Sequence, residues 1–312
     1  MDKTATLLRA DGRAIAQGAR LLRAGGLVAF PTETVYGLGA DATNGRAVAR
    51  VFEAKGRPAF NPLIVHVPSP AEAERHAVFD DTARKLAAAF WPGALTLVLP
   101  RRADCLLSEL VSAGLDTVAL RVPAHPVALK LLAACGVPVA APSANASGRI
   151  TATTAQHVER GLGGKVDLVL DGGATPLGLE STVIGFDGGR PVLLRAGAIA
   201  REEIEAVAGP LAAPRDAKVQ SPGQLASHYA PRLPLRLEAL TVVSDEALLA
   251  FGPLVPPGTR MTLNLSVTGD LREAAANLFA MLHRLDASSA RGIAAMPVPR
   301  HGLGEAINDR LG

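Results

Sequence analysis

From residue 13 to residue 24 the apolar positions keep helical spacing, and Gly25-Gly26 then supplies a helix end. The next four residues, Leu27-Val28-Ala29-Phe30, are all apolar and run into Pro31, the pattern of a short buried strand. The same alternation follows at once. Asn44 caps a predicted helix through Lys55, with Val48, Val51 and Phe52 facing inward and Gly56 ending it, and Leu63-Ile64-Val65-His66-Val67 reads as a strand. Further strands are predicted at 95–99, 118–122, 137–141, 167–170, 182–186 and 191–195, with helices near 81–90, 125–134, 153–161 and 201–207. Strands outnumber helices in the middle of the chain. An all-parallel sheet needs a crossover between every strand pair, so this imbalance predicts an α/β fold with a twisted mixed β-sheet and flanking helices.

From Gly209 to Pro234 the composition shifts to Pro, Ala, Ser and charged residues, which suits an ordered linker better than a sheet or long helix. Beyond it, strand-like segments near 235–243 and 260–265, a helix at 270–285, a strand near 292–297 and a short helix after Gly304 predict a smaller α/β domain. The expected organisation is a main domain over 12–208, a linker over 209–233 and a C-terminal domain over 234–312. No internal repeat is visible.

Composition narrows the function classes. With 312 residues and 48% hydrophobic content the chain fills real cores, and disorder is excluded. Aromatic residues make up only 4%, with one Trp and two Tyr, which argues against a groove that stacks successive bases. The net charge is +3, so any anion binding must come from local clustering and not from a basic tail. Cys105 and Cys135 are too few for a disulfide framework and lack metal-ligand spacing. No stretch reaches 18 uninterrupted apolar residues, and the opening Met-Asp-Lys-Thr-Ala-Thr has no charged lead into an apolar run. The expectation is a soluble cytoplasmic protein with no membrane segment.

Candidate chemistry sits where predicted elements end. Lys55-Gly56-Arg57-Pro58, with Asn61-Pro62 close behind, puts two cations and an amide into one turn that suits a polyphosphate; a cation-decorated helix end opposing the dipole is the plainer reading. The P-loop pattern is absent from the chain. Pro31-Thr32-Glu33-Thr34-Val35-Tyr36-Gly37-Leu38-Gly39 packs hydroxyls, a carboxylate and a phenol after a strand, where open α/β sheets place ligands. Pro142-Ser143-Ala144-Asn145-Ala146-Ser147-Gly148 also follows a strand, and its small residues would let backbone N–H groups surround an anion or base. Leu179-Glu180-Ser181-Thr182 and Arg195 add hydroxyls and a cation at two further strand ends. Arg121 lies inside the apolar run Val118-Ala119-Leu120-Arg121-Val122, where a charge needs a partner or a ligand. His66, in an apolar strand, reads first as a structural histidine. No Ser-His-Asp, paired-carboxylate or metal constellation emerges from spacing.

In order and spacing these segments, together with Trp91-Pro92-Gly93, Leu95-Thr96 and Leu194-Arg195-Gly197, resemble the YrdC-like family of threonylcarbamoyl-AMP synthases, in its long form with a linker and a C-terminal Rossmann-like domain. The resemblance implies synthesis of L-threonylcarbamoyladenylate from L-threonine, bicarbonate and ATP, with release of pyrophosphate. The product would pass to threonylcarbamoyl-transfer proteins acting on tRNA. It implies that Lys55, Arg57, Asn61, Thr117, Ser143, Asn145, Thr151, Arg195 and Tyr229 contact ATP, with Lys55 and Arg57 as the catalytic pair. It likewise implies that Thr34, His66, Arg121, the backbone at Ala141, and Ser181 hold threonine. Mg2+ would enter on the ATP, with no dedicated metal site of its own. Ser221 to Pro231 resembles the family's lid; Tyr229 keeps the pattern, whereas Gln224, Leu225, Ala226 and Ser227 stand where basic and aromatic residues are usual. Two other readings compete: a carbamoyl-transfer enzyme of the hydrogenase-maturation type, which would need zinc-finger and acylphosphatase-like modules, and a non-catalytic RNA-binding module, which the weak net charge and sparse aromatics disfavour.

Overall fold

The computed structural model, which describes residues 5–212, 229–259 and 261–312, gathers the short apolar runs of the main domain into one sheet. Its strands are β1 Thr6–Arg9, β2 Val28–Pro31, β3 Tyr36–Asp41, β4 Ile64–His66, β5 Leu95–Pro100, β6 Thr117–Arg121, β7 Val139–Ala140, β8 Leu168–Asp171, β9 Thr182–Asp187 and β10 Arg190–Arg195. In space they run β1-β8-β2-β3-β7-β4-β6-β5-β9-β10. Parallel pairs (β1–β8, β2–β8, β4–β6, β5–β9) mix with antiparallel ones (β2–β3, β3–β7, β4–β7, β5–β6, β9–β10), as the shortage of helices predicts.

The helices are α1 Gly12–Arg23, α2 Gly45–Lys55, α3 Pro70–Glu74, α4 Asp81–Phe90, α5 Glu109–Ser112, α6 Pro126–Cys135, α7 Ala155–Leu162 and α8 Arg201–Ala208. Alternation along the strands assigns them to faces. Val28 and Phe30 of β2 join Leu168 and Leu170 of β8 under Ile15 and Leu22 of α1 and Leu131 of α6, while Ala29 and Val169 point to the other core. That second core packs Val48 and Val51 of α2, Leu86 of α4 and Val158 of α7 against Leu38, Val65, Leu97 and Leu120.

Several elements depart from the sequence pattern: β1 lies ahead of the main domain expected over 12–208 yet pairs with β8 in its sheet, and the short helices α3 and α5 fall outside the expected helices. The glycines of Tyr36–Asp41 argue against a strand, yet this segment is β3, and the missing side chains are what let it pass: a Cβ on Gly39 would lie 2.8 Å from Phe30 Cε1 and 2.9 Å from Val139 Cγ1. In the C-terminal domain, strands β11 Leu235–Arg236, β12 Glu246–Ala250, β13 Thr262–Asn264 and β14 Gly292–Ala295 form a parallel sheet in the order β11-β14-β12-β13, with helices α9 Leu271–Asp286 and α10 Leu303–Leu311. Of the expected strand over 235–243 only β11 forms. The central strand β12, Glu-Ala-Leu-Leu-Ala, has a helix-like composition and becomes a strand because its last four residues are buried between neighbours. Gly304 falls inside α10 and not before it.

The two domains share a core. Val35, Ile150, Leu179 and Tyr229 belong to the same apolar cluster as Ala275, Leu278 and Phe279 of α9. Contact is closest at Gly178 (φ +68°), where a Cβ would stand 2.5 Å from Ala275 O and 2.6 Å from Ala276 O. Gly178→Ala therefore combines left-handed backbone strain with overpacking and should cost about 3 kcal/mol. Thermal unfolding measures it; an unchanged midpoint would mean that α9 is free to move off this turn.

Candidate active site

Helix α2 delivers the basic turn. Asn44 caps its start by accepting from Arg46 N (3.0 Å) and Ala47 N (3.2 Å). At its end Gly56 takes the left-handed conformation (φ 60°), with Gly56 N donating to Glu53 O at 3.1 Å and Arg57 N to Phe52 O at 2.9 Å, a paired closure that turns the chain sharply. Lys55 does not lie over its own helix end, as the plainer reading of the turn supposes. Its buried Nζ donates to Ser143 O and Asn145 O, 2.5 Å each, and Ser147 N returns a bond to Lys55 O at 2.8 Å. Two distant motifs are thus clipped together by one side chain. Arg57 turns the other way, Nε to Asn61 O at 3.1 Å and Nη2 to Pro62 O at 2.8 Å.

The Ser143–Asn145 turn is strapped to β3 from its second side. Leu38 N donates to Pro142 O and Ala144 N to Tyr36 O, 2.7 Å in both cases. Asn145 Nδ2 donates to Ala146 O (3.0 Å) and Arg149 O (2.7 Å), while its buried Oδ1 has no partner among the described residues. Such an acceptor is expensive to leave unpaired and suits a ligand N–H.

Across the cleft, Arg121 at the end of β6 is paired by protein. It forms a buried ion pair with Glu33, donates Nη1 to Thr34 Oγ1 at 2.9 Å and Nε to Gly93 O at 3.1 Å. The partner demanded by its apolar strand is therefore Glu33, which sits in the polar turn after β2 and also accepts from Ala124 N at 3.0 Å. Burial works to raise the Glu33 carboxyl, and Arg121 with its hydrogen bonds overcomes this and holds it below the usual carboxylate value. Among the described residues, two of the five guanidinium N–H groups have no partner. Next to it, His66 is pushed down to about 3 by burial and then by Arg121, so its ring is neutral. Its Nδ1 faces Ile64 O at 3.3 Å; with a carbonyl there, Nδ1 carries the proton and Nε2 is an acceptor.

Ser181 and Arg195 close the third side. Arg195 donates through Nε (3.2 Å) and Nη2 (2.8 Å) to Ser181 O, and Ser181 Oγ lies 2.7 Å from Thr96 Oγ1. Glu180 beside them accepts from Thr151 Oγ1 at 2.7 Å.

These elements bound one cleft, with about 680 Å³ of space between its walls when the open mouth is included. Lys55, Arg57, Ser143, Asn145, Arg195, Tyr229, Thr34, His66, Arg121, Ala141 and Ser181 all line it. Asn61, Thr117 and Thr151 do not: Asn61 is fully buried with neither amide atom partnered among the described residues, Thr117 starts β6, and Thr151 stands behind Glu180. Of the segment resembling a lid, 221–228 lies outside the described residues, and Tyr229 is in the wall. Glu33 and Glu180 shape the site although the motifs alone assign them no role; the signal was their place beside Thr34 and Ser181. Burial, and then Arg57, pushes the Lys55 ammonium well down, an effect the two carbonyls at 2.5 Å oppose. Burial brings Arg57 to about 10 and lowers Arg195 as well. An anion entering the cleft relieves all three.

Arg121→Met leaves the Glu33 carboxylate buried without its partner and should cost about 3–5 kcal/mol, most of it recovered in Arg121→Met/Glu33→Gln. Because the folded pKa of Glu33 is lowered, its contribution to stability is complete above its ordinary 4.5 and is lost as pH falls below that value. Urea unfolding of the three proteins from pH 7 to pH 3 checks both; a single variant as stable as the double one would contradict the pairing.

Comparison with known proteins agrees with this architecture. A family model described as telomere recombination, covering Sua5, YciO and YrdC, matches residues 20–197, and one described as the C-terminal domain of threonylcarbamoyl-AMP synthase matches residues 199–312. The chain is 42% identical over 317 residues to a threonylcarbamoyl-AMP synthase of Bacillus subtilis, covering 95% of this chain and 91% of that protein. It is 37% identical over 341 residues to one from Schizosaccharomyces pombe (91% and 84% covered). The crystal structure of Pyrococcus abyssi Sua5 complexed with L-threonine superposes with a TM-score of 0.89 at 38% identity, over 99% of this chain and 96% of that one. A likeness to full-length HypF at 19% identity and a TM-score of 0.53, over 59% of this chain and 29% of that one, is one of fold alone. From Phe30-Pro31 in β2 to the parallel sheet of the C-terminal domain, the chain belongs to the Sua5/YciO/YrdC family, in the long form that carries the threonylcarbamoyl-AMP synthase C-terminal domain.

Proposed function

We propose that this cleft makes threonylcarbamoyl-AMP from L-threonine, bicarbonate and ATP. The observation that carries the reading is the convergence of Lys55, Arg57, Arg121 and Arg195, from three separate segments, on one cleft that also holds a neutral His66. In the reaction the threonine amine attacks CO2 formed from bicarbonate and loses a proton, giving a carbamate. A carbamate oxygen then attacks the α-phosphorus of ATP as the bond to pyrophosphate breaks. Both partners are anions. Buried cations offset their repulsion and the charge that moves onto the leaving group, and enclosure supplies the alignment.

Lys55 and Arg57, with Ser143, Asn145 and Arg195, face the phosphates and nucleotide; the unpartnered Asn145 Oδ1 is an acceptor for a nucleotide N–H. Thr151 acts from behind this wall through Glu180, whereas Asn61 and Thr117 do not line the cleft. On the other side Arg121 takes the threonine carboxylate with its remaining N–H groups, flanked by the Ala141 backbone. Nε2 of His66 accepts from the threonine hydroxyl, with Thr34 and Ser181 alongside, so an amino acid without that hydroxyl leaves buried polar groups unpaired. The buried ring of Tyr229 shields the mixed anhydride from water.

The described residues hold no cluster of His, Cys, Asp and Glu fit for a metal, and both carboxylates of the site are engaged by other groups. Mg2+ therefore comes on the triphosphate and is held by it. The reaction product passes to transfer proteins acting on tRNA. Among the described residues no helix is long and apolar enough to cross a membrane.

Incubation of the purified protein with ATP, labelled bicarbonate and L-threonine should yield labelled threonylcarbamoyl-AMP and threonine-dependent pyrophosphate; pyrophosphate release indifferent to threonine would sink the reading. Lys55→Ala and Arg57→Ala should each lower kcat by about 10²–10³. Arg121→Lys keeps the charge but loses the planar fork, and should raise the KM for L-threonine about tenfold or more with little change in that for ATP.

A further inference from the structure

One charged side chain of the C-terminal domain bears directly on the wall of the cleft. Arg310, on α10, is fully buried: its side chain has 0% exposure. It donates Nε to Glu180 Oε2 at 2.8 Å and Nη2 to Ala196 O at 2.9 Å, and its Nη1 pairs with Asp309. Its Cζ also stands 4.7 Å from the centroid of the Tyr229 ring, whose other neighbour is Phe279 of α9 at 5.7 Å between centroids. Glu180 and Tyr229 both line the cleft.

The electrostatic consequence is specific. Glu180 is a carboxylate in the wall of a site whose substrates are anions, next to Ser181 and on the side of Arg195. Left alone it would repel those substrates and draw Arg195 to itself. With Arg310 and Thr151 on its two oxygens, the carboxylate is compensated from outside the cleft. Glu180 then presents no uncompensated negative charge to a ligand in the cleft. The same guanidinium fixes Tyr229, whose backbone is held by Ala230 N donating to Gly148 O at 2.9 Å, beside the Ser143–Asn145 turn.

We infer that Arg310 is a positioning residue of the active cleft: by neutralising Glu180 and seating Tyr229 it completes the anion-binding wall, making the C-terminal domain part of the active site. This inference rests on the reading of the cleft given above. Arg310 touches no substrate in this role and acts through its two neighbours.

The test uses the full chain with Arg310→Lys, Arg310→Met, Arg310→Met/Glu180→Gln and Arg201→Ala. The last removes an ion pair to Glu305 of the same α10, between residues that do not line the cleft. Titration calorimetry measures ATP and L-threonine binding, and thermal unfolding measures stability. Arg310→Met should weaken ATP binding about tenfold or more, and Arg310→Lys, which keeps charge but not the fork, roughly threefold. Adding Glu180→Gln to Arg310→Met should restore most of the ATP affinity, which a loss of packing alone would not do. Arg201→Ala should leave both affinities within about twofold of the unmodified chain. Unchanged ATP binding in Arg310→Lys, a folded double variant that binds ATP no better than Arg310→Met, or an equal loss in Arg201→Ala would each overturn the inference alone. Should Arg310→Met not fold, Arg310→Lys decides by the same criterion. An unmodified chain that binds neither ATP nor L-threonine overturns the functional reading, and this inference with it.

Discussion

Four cationic side chains, three of them buried, share one cleft, and the arrangement around them follows from the cost of keeping them there. An isolated buried charge costs several kcal/mol, so each needs oxygen atoms at short range. Lys55 takes two backbone carbonyls of the Ser143–Asn145 turn, Arg57 takes those of Asn61 and Pro62, Arg195 that of Ser181, and Arg121 a full carboxylate from Glu33. Arg121 is met by a formal opposite charge at contact. Carbonyl partners hold a cation in place without cancelling it, which leaves the cleft short of negative charge until an anion arrives.

The same oxygens explain the route of the chain. The carbonyls that solvate Lys55 belong to a turn strapped to β3, and β3 passes close to β2 only because Gly39 has no side chain. The polar turn after β2 carries Glu33 to Arg121 on β6, so the two ends of the cleft are joined through the middle of the sheet. Mixed strand directions help here: antiparallel pairing brings turns from neighbouring strands to one end, while a purely parallel sheet would interpose a crossover each time. His66 fits this scheme by staying neutral, adding an acceptor where further positive charge would compete with Arg121.

Much of the main domain was legible from local pattern. The helix ending at Gly56, its Asn44 cap, and strands at 95–100 and 182–187 follow apolar spacing and capping chemistry that act within a few residues. The elements that escaped it are those whose conformation is imposed from outside. β3 is rich in glycine and β12 in alanine and leucine, and each becomes a strand through neighbours distant in sequence. The site divides in the same way. Lys55, Arg57, Ser143 and Asn145 stand in compact motifs; Glu33 and Glu180 were visible as motif members without a role; Arg310 carried no local signal at all.

By itself, then, the sequence determined which residues could be charged, small or apolar, where helices begin and end, and which motifs mark the family. Tertiary structure decided which charges meet. Whether Lys55 caps its own helix or clips a turn 88 positions away, whether Arg121 finds Glu33, and whether Arg310 backs a wall in the other domain depend on distances the chain closes only by folding. Electrostatic interactions in a desolvated interior are set by a few ångströms of separation and by burial, and neither is a property of spacing along the chain.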